Sequence, residues 1–191
     1  MISAILLAAG QSKRMRGKNK LTKKIDNIPL IKYSIKNILE SSVDELIIVL
    51  GYQKKTIKKT IEEHSKIKFV FNPNFEKGMS SSIKTGLTNL SKSTEAFFIS
   101  LADMPYVTKN VYNELIQLKK NNKEKDIFVP YYKEQQGNPI LFSIRMKESF
   151  NKIEGDNGAK NLLLDNSQKI FRMMVSDKSI IMDFDTEENF K

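Results

Sequence analysis

The chain has 191 residues, a formal net charge of +10, no cysteine and a single histidine, His64. One domain of this length buries a core without disulfides or structural metal, and the absence of cysteine excludes disulfides, thiolate nucleophiles and Cys-held zinc. His64 lies in the polar stretch "KTIEEHSK" and reads as a surface or structural residue, so any metal needs oxygen ligands, which points to magnesium-like ions.

The basic excess is 28 Lys against 4 Arg, scattered through segments such as "KKTIKKT" and "LKKNNKEK". Dispersed lysines suit solvated faces and a small anionic ligand better than a polymer, so no nucleic-acid partner is expected. No apolar run approaches the ~20 residues of a membrane span. Met1 leads straight into a strand-like run with no basic leader, so a cytoplasmic protein, without membrane attachment and monomeric, is expected.

Ile2 to Leu7 is apolar and bounded by "AAG", a buried strand. Pro29 to Leu39 has helical apolar spacing with proline near its start. "ELIIVL" (Glu45 to Leu50) is a second strand. Lys54 to Glu63 reads as a helix, Lys68 to Phe71 as a strand, Ser80 to Leu90 as a helix and "AFFISL" (Ala96 to Leu101) as a fourth strand. Thr108 to Lys120 is a helix with Val111, Leu115 and Leu118 on one face. Beyond it, Asp126 to Pro130 and Pro139 to Phe142 read as strands, and Met146 to Ile153 and Ala159 to Leu164 as helices. Lys169 to Val175 and Ile180 to Phe184 are strand-like. The alternation predicts an α/β fold with a mostly parallel sheet and helices on both faces. In such folds ligands bind beyond the carboxyl ends of the strands. Three polar loops leave strands there: "AAGQSKRM", "NPNFEKGMSSS" and "ADMP".

Each loop carries a chemical reading beside a plainer one. "AAGQSKRM" can turn backbone N–H groups toward phosphate. Arg14 can bridge phosphate oxygens bidentately and Lys20 can add a point charge. The spacing is neither G-x-x-x-x-G-K-[ST] nor G-x-G-x-x-G, and a tight strand exit with solvated cations is the alternative. Asp103 in "SLADMP" is placed as a Mg²⁺ ligand or as a helix cap or turn residue. Asp183 and Asp185 in "MDFDTEENF" alternate along a strand-like run, so both carboxylates point one way, or Asp185 and Thr186 cap a short terminal helix. "GMSSSIKTG" places Ser80, Ser81 and Ser82 at a loop-to-helix boundary. One serine serves as a cap, and the other hydroxyls and the free N–H groups of the first turn can read a polar ligand. "GNP" (Gly137, Asn138, Pro139) and "GDNGAK" (Gly155 to Lys160) are two more polar turns.

Taken together, these segments resemble the molybdenum cofactor nucleotidyltransferase group of the nucleotide-diphospho-sugar transferase-like fold, and within it the molybdopterin cytidylyltransferases. The opening signature L-A-A-G-x-S-x-R-M-G followed by Lys is carried by Leu7, Ala8, Ala9, Gly10, Ser12, Arg14, Met15 and Lys20. "NPNFEKGMSSSIKTGL", "LADMP", "GNPILF", "GDNGAK" and "DFDTEENF" extend it over nearly the whole chain. The resemblance implies a three-layer α/β/α, Rossmann-like single domain over 1–191, with a nucleotide-binding half at about 1–107 and an acceptor-binding half at about 108–191. It implies transfer of CMP from CTP to the phosphate of the molybdenum-bearing pterin, with Mg²⁺ (Mn²⁺ as the alternative ion) as cofactor and release of pyrophosphate. The catalytic residues would be Arg14, Lys20 and Asp103. Leu7, Ala8, Ala9, Gly10, Ser12, Gly78, Ser80, Ser81 and Ser82 would join these three around the nucleotide. Gly137, Asn138, Pro139, Gly155 and Asp156 would meet the acceptor, molybdopterin, and Asp103 and Asp185 would hold the metal. An apo-molybdenum hydroxylase would be the client. "LAAG" in place of L-A-G-G, and the G-M-S-S-S segment, favour CTP over GTP. Two departures stand out: Arg16 where relatives carry Gly, and Glu134 to Gln136 where relatives carry a Gly and a basic residue. A transferase with another nucleotide or acceptor, and a non-catalytic chaperone for the cofactor, are the alternatives.

Overall fold

The computed structural model describes residues 1–12, 19–156 and 158–190. In chain order the strands and α-helices are β1 (Ile2–Ala8), β2 (Lys24–Ile25), β3 (Ile28–Pro29), α1 (Leu30–Leu39), β4 (Glu45–Leu50), α2 (Lys54–Lys59), β5 (Ile67–Phe71), α3 (Met79–Thr88), β6 (Ala96–Leu101), α4 (Lys109–Asn121), β7 (Ile127–Tyr132), β8 (Gln135–Gln136), β9 (Ile140–Ser143), α5 (Lys160–Asp165) and β10 (Ile170–Met174). The large sheet runs β10-β7-β9-β6-β1-β4-β5, with β8 paired to β7. β1 lies parallel between β4 and β6, with Ile5 opposite Ile47 and Ile99. β9 is antiparallel to both β6 and β7. The sheet is therefore mostly parallel, as the alternating pattern requires.

Both faces of the sheet are covered, which explains why the central strands read as continuous apolar runs. On one face Leu30, Ile31 and Ile35 of α1, Ile57 of α2 and Leu115 of α4 pack with Ala4, Leu6, Leu46 and Phe98. On the other, Ile83 and Leu87 of α3, Phe150 and the α5 leucines Leu162 and Leu163 pack with Ile5, Ile47 and Phe97. This is the three-layer α/β/α arrangement. Phe97, Phe142 and Phe150 form an aromatic knot across the β6–β9 seam, with ring centroids 5.0 to 5.7 Å apart.

Four local features differ from the pattern. The expected helix over Lys54 to Glu63 stops at Lys59, because Ile57 is its sole buried residue and Thr60 Oγ donates back to the Ile57 carbonyl. Residues Ile144–Lys152 wind as a 3₁₀ helix, started by Ser143 Oγ accepting from Arg145 N. The run Ile180 to Phe184 is not a strand. Asp177 Oδ1 accepts from Ser179 N, Lys178–Ile181 forms a 3₁₀ turn, and the chain then continues outside any regular element. The β2–β3 hairpin escapes periodicity because each strand has two residues. Its turn, Asp26–Asn27, has φ of 47° and 65°, the left-handed pair that tight hairpins need.

α3 sits tightly on β1: a Cβ on Gly86 would lie 2.4 Å from Ile5 Cγ2. Ile5 is buried on the central strand and has no room to move. Gly86→Val is expected to cost about 2 kcal/mol by overpacking, read as a lower urea midpoint with an unchanged m-value.

Candidate active site

β1, β5 and β6 end at the same rim, and their exits build a cleft of about 410 Å³. Its lining includes Leu7, Ala8, Ala9, Gly10 and Ser12 from the opening turn, with Lys20 just beyond it. Gly78 and Ser82 enter from the α3 end, Asp103 from the β6 exit, Asp156 from the second half, and Asp183 and Asp185 from the C-terminal segment. The three loops converge as the strand order requires. Arg14 lies outside the described residues.

Lys20 is the centre of the cleft. Its Nζ donates to Asp103 Oδ2 and to Asp185 Oδ1, each at 2.5 Å. The side chains of Lys20, Asp103 and Asp185 are 16%, 18% and 22% exposed, so the pairings are partly shielded from water. Burial by itself would lower the Lys20 pKa, but the charge and hydrogen bond of Asp103, then those of Asp185, outweigh it and raise the pKa above the ordinary lysine value. Lys20 therefore stays cationic. Its backbone is tied to the opening turn, since Lys20 N donates to Ser12 Oγ at 3.2 Å and Ser12 adopts a φ of 50°.

The aspartates are held from behind. Phe184, between Asp183 and Asp185, is buried and its N–H donates to the Asp103 carbonyl at 2.9 Å. Its ring packs edge-on against Tyr106 and Phe190. Asn189 Oδ1 accepts from the backbone N–H groups of Asp185 and Thr186, fixing the turn that carries Asp185. So Asp103 and Asp185 present their carboxylates to Lys20, whereas α4 starts from Thr108 with no side-chain cap. Asp183 is more exposed, and its pKa is raised by partial burial first and then by the charges of Asp185 and Asp103.

At the start of α3 the serines do a different job from the expected one. None of them caps the helix; its N-terminal position is Gly78. Ser81 Oγ lies 2.8 Å from both the Asn74 and Gly78 carbonyls, and Asn72 Nδ2 donates to Ser81 and Ser82. They brace the loop that follows β5. The first N–H groups of α3 are taken as well: Met79 N donates to Asp156 Oδ1 and Ser80 N to the Gly155 carbonyl. Gly78, at φ 94°, is necessary here, because a Cβ would lie 2.6 Å from Asp156 Oδ1 and from the Gly155 backbone. Gly78 to Ser80 and Gly155–Asp156 are thus the two sides of one joint.

Ser80, Ser81 and Gly155 line a neighbouring polar hollow rather than the cleft. Gly137, Asn138 and Pro139 are not part of the cleft lining. Gly137 N donates to the Pro130 carbonyl and Asn138 N to the Ile180 carbonyl, so this turn, with its cis Asn138–Pro139 bond, backs the segment leading to Asp183 and Asp185. The cleft also takes in Gln11, Phe75, Glu76, Met79 and Leu101, which lie within the quoted motif segments without having been singled out, and Leu21, which lies outside them. Asn19 is buried and its Nδ2 has no partner among the described residues, an orphaned donor next to Lys20.

The donor chemistry fits a hard divalent cation. Glu76, Asp103, Asp156, Asp183 and Asp185 line the cleft with one lysine, Lys20, among the described residues, a net of four negative charges when all are ionised. Among the described residues no group of three or more His, Asp or Glu side chains forms a complete metal cage. Mg²⁺ usually takes one or two carboxylates and completes its shell with water and substrate phosphates. Gly10 fits a ligand that comes close to the backbone: a Cβ there would meet nothing within 4 Å and would project into open space.

A charged cleft at the carboxyl ends of parallel strands is the place where α/β folds hold ligands, and the comparisons give the class of enzyme. The MobA-like NTP transferase domain model matches residues 4–170, so the chain belongs to that family and is a nucleotidyltransferase. It is similar to the molybdenum cofactor cytidylyltransferase of Escherichia coli K12, with 26% identity over 190 residues, covering 99% of this chain and 93% of that protein. It also matches the bifunctional protein GlmU of Caldicellulosiruptor saccharolyticus at 28% identity, over 61% of this chain but only 25% of that longer protein. Rv0371c from Mycobacterium tuberculosis H37Rv shares the fold, with a TM-score of 0.85 at 20% identity over 99% of this chain and 94% of that one.

The Asp183 charge has a testable cost. Its pKa is raised on folding, so ionisation disfavours the folded chain above the raised value and has no effect below the unfolded value near ~3.9. Without metal, Asp183→Asn is expected to be more stable than the parent at pH 8 by less than ~1 kcal/mol, an exposed-charge effect. The gain should vanish near pH 3, which thermal melts at the two pH values will show.

Proposed function

We propose that the protein transfers CMP from CTP to the terminal phosphate of molybdenum-bearing molybdopterin, forming the cytosine dinucleotide and releasing pyrophosphate. The observation that carries this is the meeting of the opening turn, Lys20, Asp103 and Asp185 in one cleft. The choice of CTP and of the pterin acceptor rests on "LAAG", on "GMSSS", and on similarity to the E. coli cytidylyltransferase along almost the full length of both chains. The first half, about 1–107, contributes the opening turn, Lys20 and Asp103. The half at about 108–191 contributes Asp156 and Asp185 and would carry the acceptor. A cytoplasmic monomer serving an apo-molybdenum hydroxylase completes the reading. No helix among the described residues is long and apolar enough to cross a membrane.

In this reaction an acceptor phosphate oxygen attacks the α-phosphorus of CTP, the bond from that phosphorus to the bridging oxygen breaks, and pyrophosphate leaves with the electron pair. No protein nucleophile is needed. The chain's work is positioning and charge neutralisation. The opening turn lets the triphosphate approach the backbone at Gly10, and Lys20 and Arg14 balance its charge. Asp103 and Asp185 would hold Mg²⁺, or Mn²⁺, which supplies Lewis-acid neutralisation of the phosphate oxygens when bound.

The test is incubation of the protein with Mg²⁺, molybdenum cofactor and each of CTP, GTP and ATP, reading pyrophosphate and the nucleotide–pterin product. Turnover with CTP that requires the pterin is expected, and Asp103→Ala should lower kcat by at least ~100-fold. Tight cofactor binding with no turnover from any nucleotide would replace this reading with a chaperone. Gly10→Ala separates ligand approach from folding. It should leave stability within ~0.5 kcal/mol and weaken CTP binding about tenfold, equal to ~1.4 kcal/mol, measured by melting and by calorimetric titration.

A further inference from the structure

Lys20 sits where a divalent cation would have to sit. Its Nζ touches Asp103 and Asp185, the two carboxylates assigned above to the metal, and these side chains are largely shielded from water. An ammonium and a metal ion on the same two carboxylate oxygens compete, because the two cations would lie a few ångströms apart and repel. Yet the reaction needs Lys20 on the triphosphate. Both demands are met if the side chain moves. The Lys20 backbone is pinned through Ser12 Oγ and the short Lys20–Thr22 3₁₀ turn, while four rotatable carbons carry the charge. Ser12 and Gly10 belong to the same opening turn and line the same cleft as Asp103 and Asp185.

We propose that Lys20 is a built-in stand-in for the metal: it occupies Asp103 and Asp185 in the ligand-free protein, and a triphosphate draws it off as the metal enters. This rests on the reading of Asp103 and Asp185 as the metal ligands. Free metal ions then bind poorly, because each must evict a cation from its counter-ions. A metal–triphosphate complex binds well, because the triphosphate offers Lys20 a new anion in exchange. Metal and nucleotide therefore enter together, and the carboxylates keep a cationic partner at both stages.

Removing the lysine from the site should therefore improve metal binding. Mn²⁺ titrated alone and followed by electron paramagnetic resonance should bind Lys20→Met and Lys20→Gln about tenfold more tightly than the parent, a coupling of common size. Adding Asp103→Asn to Lys20→Met should abolish that gain. With Mn²⁺–tripolyphosphate as the probe the order should reverse, the parent binding more tightly than either variant. Equal or weaker binding of Mn²⁺ alone by both lysine variants would overturn the proposal. Because neither probe contains a nucleoside or a pterin, the outcome is separate from the cytidylyl reading. A chain that shows the exchange but turns over no nucleotide keeps the one and loses the other.

Discussion

The ion pairing of Lys20 with Asp103 and Asp185 is the constraint around which the site is arranged. It joins a residue after β1, a residue after β6 and a residue near the end of the chain, 83 and 165 positions from Lys20. The two carboxylates meet a cation at one point, and Asp103, then Asp185, together outweigh what burial costs the Lys20 ammonium. The last residues therefore have to return to the rim of the sheet. Phe184 makes that return stable, burying its ring between Tyr106 and Phe190 while its N–H bonds the Asp103 carbonyl. An apolar anchor and two flanking carboxylates divide the work. The ring supplies the affinity of the tail for the body, and the carboxylates face the cleft.

A second joint closes the other side of the cleft. Gly155 and Asp156 take the first N–H groups of α3, and Gly78 gives them the room to do so. A helix start could in principle offer its N–H groups to an anionic ligand, but here two are already engaged. Asp156 also lines the cleft, so its carboxylate belongs both to the joint and to the electrostatics of the site. This wall of the cleft is thus made by two segments 77 residues apart, joined by the Met79–Asp156 hydrogen bond.

The central part of the fold was legible because strand and helix periods are strong where both sheet faces are buried. Glu45–Leu50 and Ala96–Leu101 were read to the residue, and the convergence of three loops followed from strand order alone. The irregular end of the chain was harder. The run from Ile180 to Phe184 looks like a strand by composition, but Asp177 captures Ser179 N and the Ile180 carbonyl is used by Asn138, so no ladder forms. Asp183 and Asp185 still reach one cleft, as their alternation suggested, although no strand directs them. The serine run was legible only in part: none of the three caps α3, Ser81 bonds Asn72 and Asn74, and Ser82 accepts from Asn72 while lining the cleft.

The α/β class, the strand exits that form the rim, the absence of any cysteine ligand and the resemblance to molybdenum cofactor nucleotidyltransferases were all readable along the chain. These follow from local quantities: apolar period, residue type and the order of motifs along the chain. Folding alone brings Asp103 and Asp185 to one lysine, sets Gly155 and Asp156 against Gly78 to Ser80, and puts "GNP" behind the segment that leads to Asp185. Those are relations between residues distant in sequence. They depend on how burial, charge and backbone hydrogen bonds are satisfied together, and no local pattern records that solution.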